Sequence, residues 1–307
     1  NEWYIDQKYG PNWFAYFFEP NIIINPTIDN PSVIHFNSWL AHYGKIGSFS
    51  QVVKEKAPIY GKNTFADPPQ VVDELFKDFP YPVNGNLPLS VTRNIVSQYI
   101  KIKPAMQQKV DTILEMNIGK HFEKTFLIGL HYRGTDKIQS FPYARPPMIY
   151  YKYYVQQIIE KYNLGFSTDQ QPYKIYIATD SLDFIDYVHQ QFDDSNIFYV
   201  KDNPRLSDLD QKAGSLNKGG LHKSNQFSPY QKAESAMIDM LLLSKCHYLI
   251  KNRSSLSDAS LAFNINLKYI LFFTPDYPVY STNKEFNQPP QHIINIAKEQ
   301  SLLEKNN

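Results

Sequence analysis

With 307 residues, 42% of them hydrophobic, the chain is long enough for one large α/β domain or two ordinary ones and too apolar for wholesale disorder. Its 31 Lys and Arg against 30 Asp and Glu leave a formal charge of +1 with no basic block, which argues against a dedicated nucleic-acid binder or a polybasic membrane patch. No run approaches about 18 consecutive apolar residues, so no transmembrane helix is expected, and the lone Cys246 excludes an intramolecular disulfide.

The first hundred or so residues read as irregular. Aromatic clusters (Trp3, Tyr4, Trp13, Phe14) and many prolines interrupt short apolar runs at 21–24 and 33–36 that suit strands. Helices are predicted over 90–102 and 104–119. In the second, Ala105, Val110, Ile113, Leu114 and Ile118 fall near one face, Pro104 suits the first turn and Gly119 the C-terminal cap. From residue 125 the alternation is regular. A strand at 126–131 precedes a helix at 148–162, and a strand at 173–178 precedes a helix at 181–192 capped by Ser181. A strand at 197–200 opens a long polar loop, 201–229, of the length that usually serves function. Helix 230–244, strand 248–251, helix 255–263 and strand 269–273 complete the series, leaving a Lys/Asn-rich tail. Such alternation means βαβ units and a parallel sheet.

Polar residues gather where the strands end, the place where α/β sheets receive ligands. His131, Arg133, Asp136 and Lys137 follow the first of these strands, Thr179 and Asp180 the second, and Asn252, Arg253, Ser254 and Ser255 a later one. Arg133 can grip phosphate oxygens through two parallel bonds, with His131 and Lys137 adding donors. Asp239 sits mid-helix among Met, Ile and Leu, where a carboxylate is costly unless paired. Two readings stay open: a charge on an exposed face or matched by a lysine, or a carboxylate that recognises a purine edge. Cys246, inside an apolar run without a flanking charge, reads as a buried small hydrophobe.

Four segments, in order over 126–273, resemble the fucosyltransferases that use GDP-fucose and share a His-x-Arg motif. These include the α-1,6-fucosyltransferases of N-glycan cores and of rhizobial nodulation factors, with protein O-fucosyltransferases more distant. The segments are Ile128-Gly129-Leu130-His131-Tyr132-Arg133-Gly134-Thr135-Asp136-Lys137, then Lys174-Ile175-Tyr176-Ile177-Ala178-Thr179-Asp180. Gly220-Leu221-His222 with the Asp239-bearing helix, and Lys251-Asn252-Arg253-Ser254-Ser255, complete the set.

The resemblance implies a GT-B architecture of two Rossmann-like domains. Residues 1–122 would form the acceptor side and 123–307 the GDP-sugar-binding domain with its parallel sheet, the last helix packing back on the N-terminal domain. It further implies that His131 and Asp239 contact guanine and Arg133 the pyrophosphate, with Ser254 and Ser255 offering hydroxyls and a helix N-terminus. Asp180 and His222 complete the nucleotide-sugar set, and Arg133, Asp136 and Lys137 are the catalytic candidates. No metal and no cofactor beyond the donor are expected, since Asp208-Leu209-Asp210 has metal-motif spacing but lies in the long loop. The chain departs from the family at Gly134, where a second Arg is usual. It departs again at Phe141, where mammalian-type enzymes carry a Glu, and at Ser181, where they carry a second acid. Asp136 is then the nearest carboxylate to deprotonate an acceptor, or else a structural partner of Lys137 or Arg133. His35, Asn37 and Trp39 are the acceptor-side candidates, with a core role for Trp39 equally open.

The expected activity is inverting, metal-independent transfer of L-fucose from GDP-fucose to a glycan hydroxyl of an oligosaccharide or glycoconjugate. A GT-B transferase using another GDP-sugar, and a non-catalytic nucleotide-sugar-binding protein, are the other readings. The single cysteine fits a cytoplasmic protein, free or peripheral to a membrane; a leader trimmed before Asn1 would place it in the secretory lumen instead.

Overall fold

The computed structural model describes residues 6–10, 14–19, 34–36, 59–61, 93, 96–97, 100–120, 122–134, 146–207, 226–252, 254–272 and 279–306. Packing divides the chain into Pro20–Ile95 and a larger unit made of Asn1–Glu19 with Val96–Asn307. In the smaller unit the described residues include two parallel strands, β1 (Ile34–Phe36) and β2 (Ile59–Gly61), with Ile34 opposite Ile59. The strand expected at 21–24 lies outside the described residues.

The larger unit is α/β. Its sheet comprises β3 (Phe126–Tyr132), β4 (Tyr173–Thr179), β5 (Ile197–Phe198), β6 (Tyr248–Lys251), β7 (Lys268–Phe272) and β8 (Val279–Ser281). The spatial order is β5-β4-β3-β6-β7-β8, parallel through β7, with β8 antiparallel to it. The helices are α1 (Phe14–Phe17), α2 (Pro104–Ile118), α3 (Met148–Lys161), α4 (Leu182–Gln191), α5 (Pro229–Ser244), α6 (Ser255–Phe263) and α7 (Gln291–Asn306). α3 packs against α4 and α7, whereas α5 packs against α6, α2, β3 and β4. Every residue of β3 is buried, as a central strand covered on both faces requires.

Local chemistry explains the main elements. Ser181 accepts the Phe184 N–H at 3.4 Å and starts α4. Ser228 and Gln231 form a reciprocal capping box at α5, at 3.1 and 2.9 Å, with Pro229 in the first turn. α3 buries Tyr150, Tyr151, Tyr154, Val155 and Ile158 against β3, β4 and β6. Aliphatic side chains such as Val155 and Ile158 contribute about 1.5–3 kcal/mol each when fully buried. Gly129 lets α5 end close to β3, because a Cβ there would stand 2.9 Å from the Cys246 sulfur and 3.0 Å from Leu243 Cδ2.

Several expectations need correction. α2 buries Met106, Val110 and Leu114, four apart, while Ala105 is exposed. Helical geometry at Arg93, Val96 and Ser97 does not extend to 102: Ile102 bridges Phe18 in antiparallel fashion. Pro104 holds Lys103 extended, at φ −60° and ψ 140°, which ends any helix before it. β5 is two residues long, not four: only Ile197 and Phe198 pair with β4. β8 has no counterpart in the sequence reading; the last helix, expected there without bounds, is α7, which lies along α3 with Ala297 fully buried.

Following the chain from β3, the sheet grows first through β4 to β5, then restarts on the other side of β3 with β6 and β7. This is the doubly wound order, and its reversal leaves a crevice at the carboxyl ends of β3 and β6.

Candidate active site

A cleft opens at that point, lined by His131, Arg133, Asp180, Asn203, Lys232, Asp239 and Ser254 among others. Strand alternation decides which side chains reach it. Ile128, Leu130 and Tyr132 join the core with α3, so His131 turns to the face that carries α5 and α6. His131 stands in register with Ala178 of β4 and Lys251 of β6. Burial, helped by the charges of Lys251 and Arg133, lowers its pKa to about 3, and the ring is therefore neutral. Its Nδ1 is buried and has no hydrogen-bond partner among the described residues. Lys251 is wholly buried, and its ammonium pairs with Asp258 in the first turn of α6.

Asp180 closes the turn that follows β3. Its Oδ1 accepts the Gly134 N–H at 2.8 Å, fixing the backbone next to Arg133. Thr179 donates its hydroxyl to the Tyr132 carbonyl at 2.7 Å and reinforces the same junction. A Cβ on Gly134 would lie 2.8 Å from Tyr132 Cε1 and 3.1 Å from Ser181 Cβ. The Tyr132 ring is itself stacked on Phe184, centroids 4.2 Å apart, so it has little room to yield.

Asp239 is buried in the middle of α5, neither on an exposed face nor matched by a lysine. Its Oδ1 accepts two bonds of 2.6 Å, from the Tyr176 hydroxyl on β4 and from Asn203 Nδ2. Burial raises its pKa to about 7, opposed by the Tyr176 bond, the Arg205 charge and the Asn203 bond. Arg205 donates to the carbonyls of Val200 at 2.7 Å, Asn203 at 2.9 Å and Lys201 at 3.3 Å, folding the turn that delivers Asn203.

Ser254 precedes α6 in extended geometry, φ −162° and ψ 137°, yet its hydroxyl caps no helix N–H. It is 6% exposed, and its Oγ has no partner among the described residues. A free hydroxyl beside a helix N-terminus, with Arg133 in the same cleft, is suited to an anionic ligand group.

The cleft thus gathers His131, Arg133, Asp180, Asp239 and Ser254 from three strand ends and one helix. Ser255 is exposed at the start of α6. Asp136, Lys137, His222, Asn37 and Trp39 lie outside the described residues, and His35 is described only as backbone of β1. Asn203, Lys232 and Tyr176 belong to the site and went unread in the sequence. For Lys232 the signal was present: with Ser235, Ala236 and Asp239 it forms one face of α5. Cys246 is buried, and burial pushes its thiol pKa well up, in keeping with an inert core residue. Among the described residues no three His, Cys, Asp or Glu side chains group as metal ligands, and no helix is long and apolar enough to cross a membrane.

No protein-family model matches the chain, and no curated protein matches its sequence. Solved structures do align with it. The fucosyltransferase NodZ from Bradyrhizobium covers 91% of this chain and 84% of its own at 17% identity, with a TM-score of 0.49. NodZ α-1,6-fucosyltransferase soaked with GDP-fucose covers 91% and 85% at 18% identity, with a TM-score of 0.48. A mutant of Arabidopsis thaliana FUT1 in complex with GDP covers 81% and 52% at 14% identity, with a TM-score of 0.43.

Proposed function

We propose that the chain is a glycosyltransferase that moves L-fucose from GDP-fucose to a glycan hydroxyl, with inversion and without a metal. The observation that carries this reading is the convergence of His131, Arg133, Asp239 and the unpartnered Ser254 hydroxyl in one cleft at the switch point of a doubly wound sheet. The order and spacing of the sequence segments that supply them support it as well.

In this reading guanine lies against Asp239, whose carboxylate accepts from the N1–H and the exocyclic amine. Neutral His131 presents its unpartnered Nδ1 to the base. Arg133, Ser254 and the N-terminal amides of α6 meet the diphosphate. As the glycosidic bond breaks, charge grows on the departing GDP, and a fixed guanidinium with aligned amides stabilises it without a metal. The acceptor hydroxyl attacks the opposite face of the sugar, which inverts the anomeric centre. Asp136 and Lys137 are assigned to catalysis through their motif, and Asp180, His222 and Ser255 to the donor site. The acceptor face is assigned to residues 1–122, with His35, Asn37 and Trp39, and the donor domain to 123–307. A cytoplasmic or membrane-peripheral location fits the reading.

The test is GDP release from GDP-fucose and GDP-mannose across an oligosaccharide acceptor array. Acceptor-dependent release from GDP-fucose, unchanged by EDTA, is expected. Faster turnover of GDP-mannose would assign another donor sugar. Bound but untransferred GDP-fucose with every acceptor would make the protein a binder, and the absence of GDP binding by calorimetry would overturn the reading.

A further inference from the structure

We propose that Tyr176, Asn203 and Arg205 are positioning residues that hold the Asp239 carboxylate in the one orientation from which it can read a purine edge. The proposal rests on the guanine-binding role given above to Asp239, and it concerns how that role is set up.

The geometry is specific. Tyr176 is fully buried on the face of β4 beneath α5, and its hydroxyl reaches Asp239 Oδ1 at 2.6 Å. Asn203 Nδ2 reaches the same oxygen at 2.6 Å from a different element. Among the described residues no hydrogen bond falls on Oδ2, and Asp239 lines the cleft. Two donors converging on one oxygen fix the rotation of the carboxylate and leave the other oxygen for a ligand. Asn203 is in turn held by Arg205, whose guanidinium bonds three carbonyls of its own turn and stacks over Tyr199 at 5.1 Å.

The same contacts govern the charge. Guanine offers two donors, so it needs an ionised acceptor; a protonated Asp239 would point a hydrogen at the N1–H. Burial and Asp180 favour the protonated form, whereas Tyr176, Arg205 and Asn203 favour the anion. Lys232 of α5 itself also lines the cleft, as do Arg133 and the neutral His131. Losing either donor should therefore misdirect Asp239 and raise the pH at which it ionises.

The experiment measures binding of GDP, IDP (which lacks the 2-amino group) and inorganic pyrophosphate by calorimetry between about pH 6 and pH 9. Wild type, Tyr176→Phe, Asn203→Ala and Arg205→Lys are compared. GDP affinity of the variants should fall by about tenfold to a hundredfold near neutrality, as expected when a bond to a charged group is lost. The deficit should shrink toward pH 9, the GDP-over-IDP preference should narrow, and pyrophosphate affinity should stay unchanged. In turnover, KM for the donor should rise with kcat little altered. Equal losses for GDP and pyrophosphate at every pH would overturn the proposal, because general damage would then explain them; unaltered GDP affinity would overturn it too. Failure of the wild-type protein to bind GDP would instead strike the parent reading, and the proposal with it.

Discussion

His131 on β3 and Lys251 on β6 occupy paired positions in parallel register at the carboxyl edge of the sheet. The lysine is matched by Asp258, and the imidazole beside it is kept neutral. Site and sheet are thus coupled through two groups on neighbouring strands.

His131 and Asp239 should give opposite pH dependences of stability. The folded pKa of His131 is lowered from 6.5 to about 3, so its stabilising contribution is full above 6.5 and erodes as pH falls from there toward 3. The folded pKa of Asp239 is raised from 3.8 to about 7, so its contribution is full below 3.8 and is lost as pH rises toward 7. The two slopes largely cancel in the intact chain. In His131→Gln, stability should fall between about pH 5.5 and pH 7.5; in Asp239→Asn it should rise over the same interval, by about 1–2 kcal/mol in each case. Urea melts at the two pH values decide it, and parallel behaviour of the two variants would refute the assignment.

Arg133→Ala should reduce fucosyl transfer by two to three orders of magnitude, since a fixed charge on a departing oxyanion contributes about 2–4 kcal/mol in such sites. Arg133→Lys should recover only part of the rate, because an ammonium cannot form two parallel bonds to a phosphate. Single-turnover rates with saturating donor would measure both, and activity of the alanine variant within twofold of wild type would contradict the role.

Ser254→Ala separates stability from binding. Its hydroxyl has no partner among the described residues, so removing it should leave the melting temperature unchanged or raise it slightly. GDP affinity should nonetheless fall by about tenfold, the value of one bond to a charged phosphate. A variant that melts earlier but binds GDP as well as wild type would point to a structural hydroxyl.

Gly134→Arg restores the residue that the resembling enzymes carry, yet it should damage this protein. The new Cβ would meet Tyr132 Cε1 at 2.8 Å, on a ring pinned by Phe184. Overpacking of that kind costs about 1–3 kcal/mol. Thermal melts of Gly134→Ala and Gly134→Arg should both fall below wild type, and an unchanged melt for either would show that the Tyr132 ring can move.

The sequence made the strand ends legible because each carries an apolar run that stops at a polar burst: His131 and Arg133, Asp180, and Ser254 all emerge where expected. The pairing of Asp239 was not legible. Tyr176 reads only as a strand residue, and its partner lies 63 positions away across a sheet–helix contact. Asn203 depends on a turn built around Arg205 and backbone carbonyls, which leave no side-chain pattern to find. The buried face of α2 was legible at Val110 and Leu114 but not at its start: periodicity alone could not choose Ala105 or Met106 as its first inward residue. β8 escaped notice because three residues on an antiparallel edge carry too short an alternation.

The contact of Cys246 with Gly129 gives the molecule a built-in clock. That thiol is the chain's one cysteine, 2% exposed and lodged between the end of α5 and the central strand. An alkylating reagent can reach it only when the helix lifts from the sheet. The pace of labelling thus reports how often α5 lifts from the sheet, and a ligand seated at the strand tips should slow it.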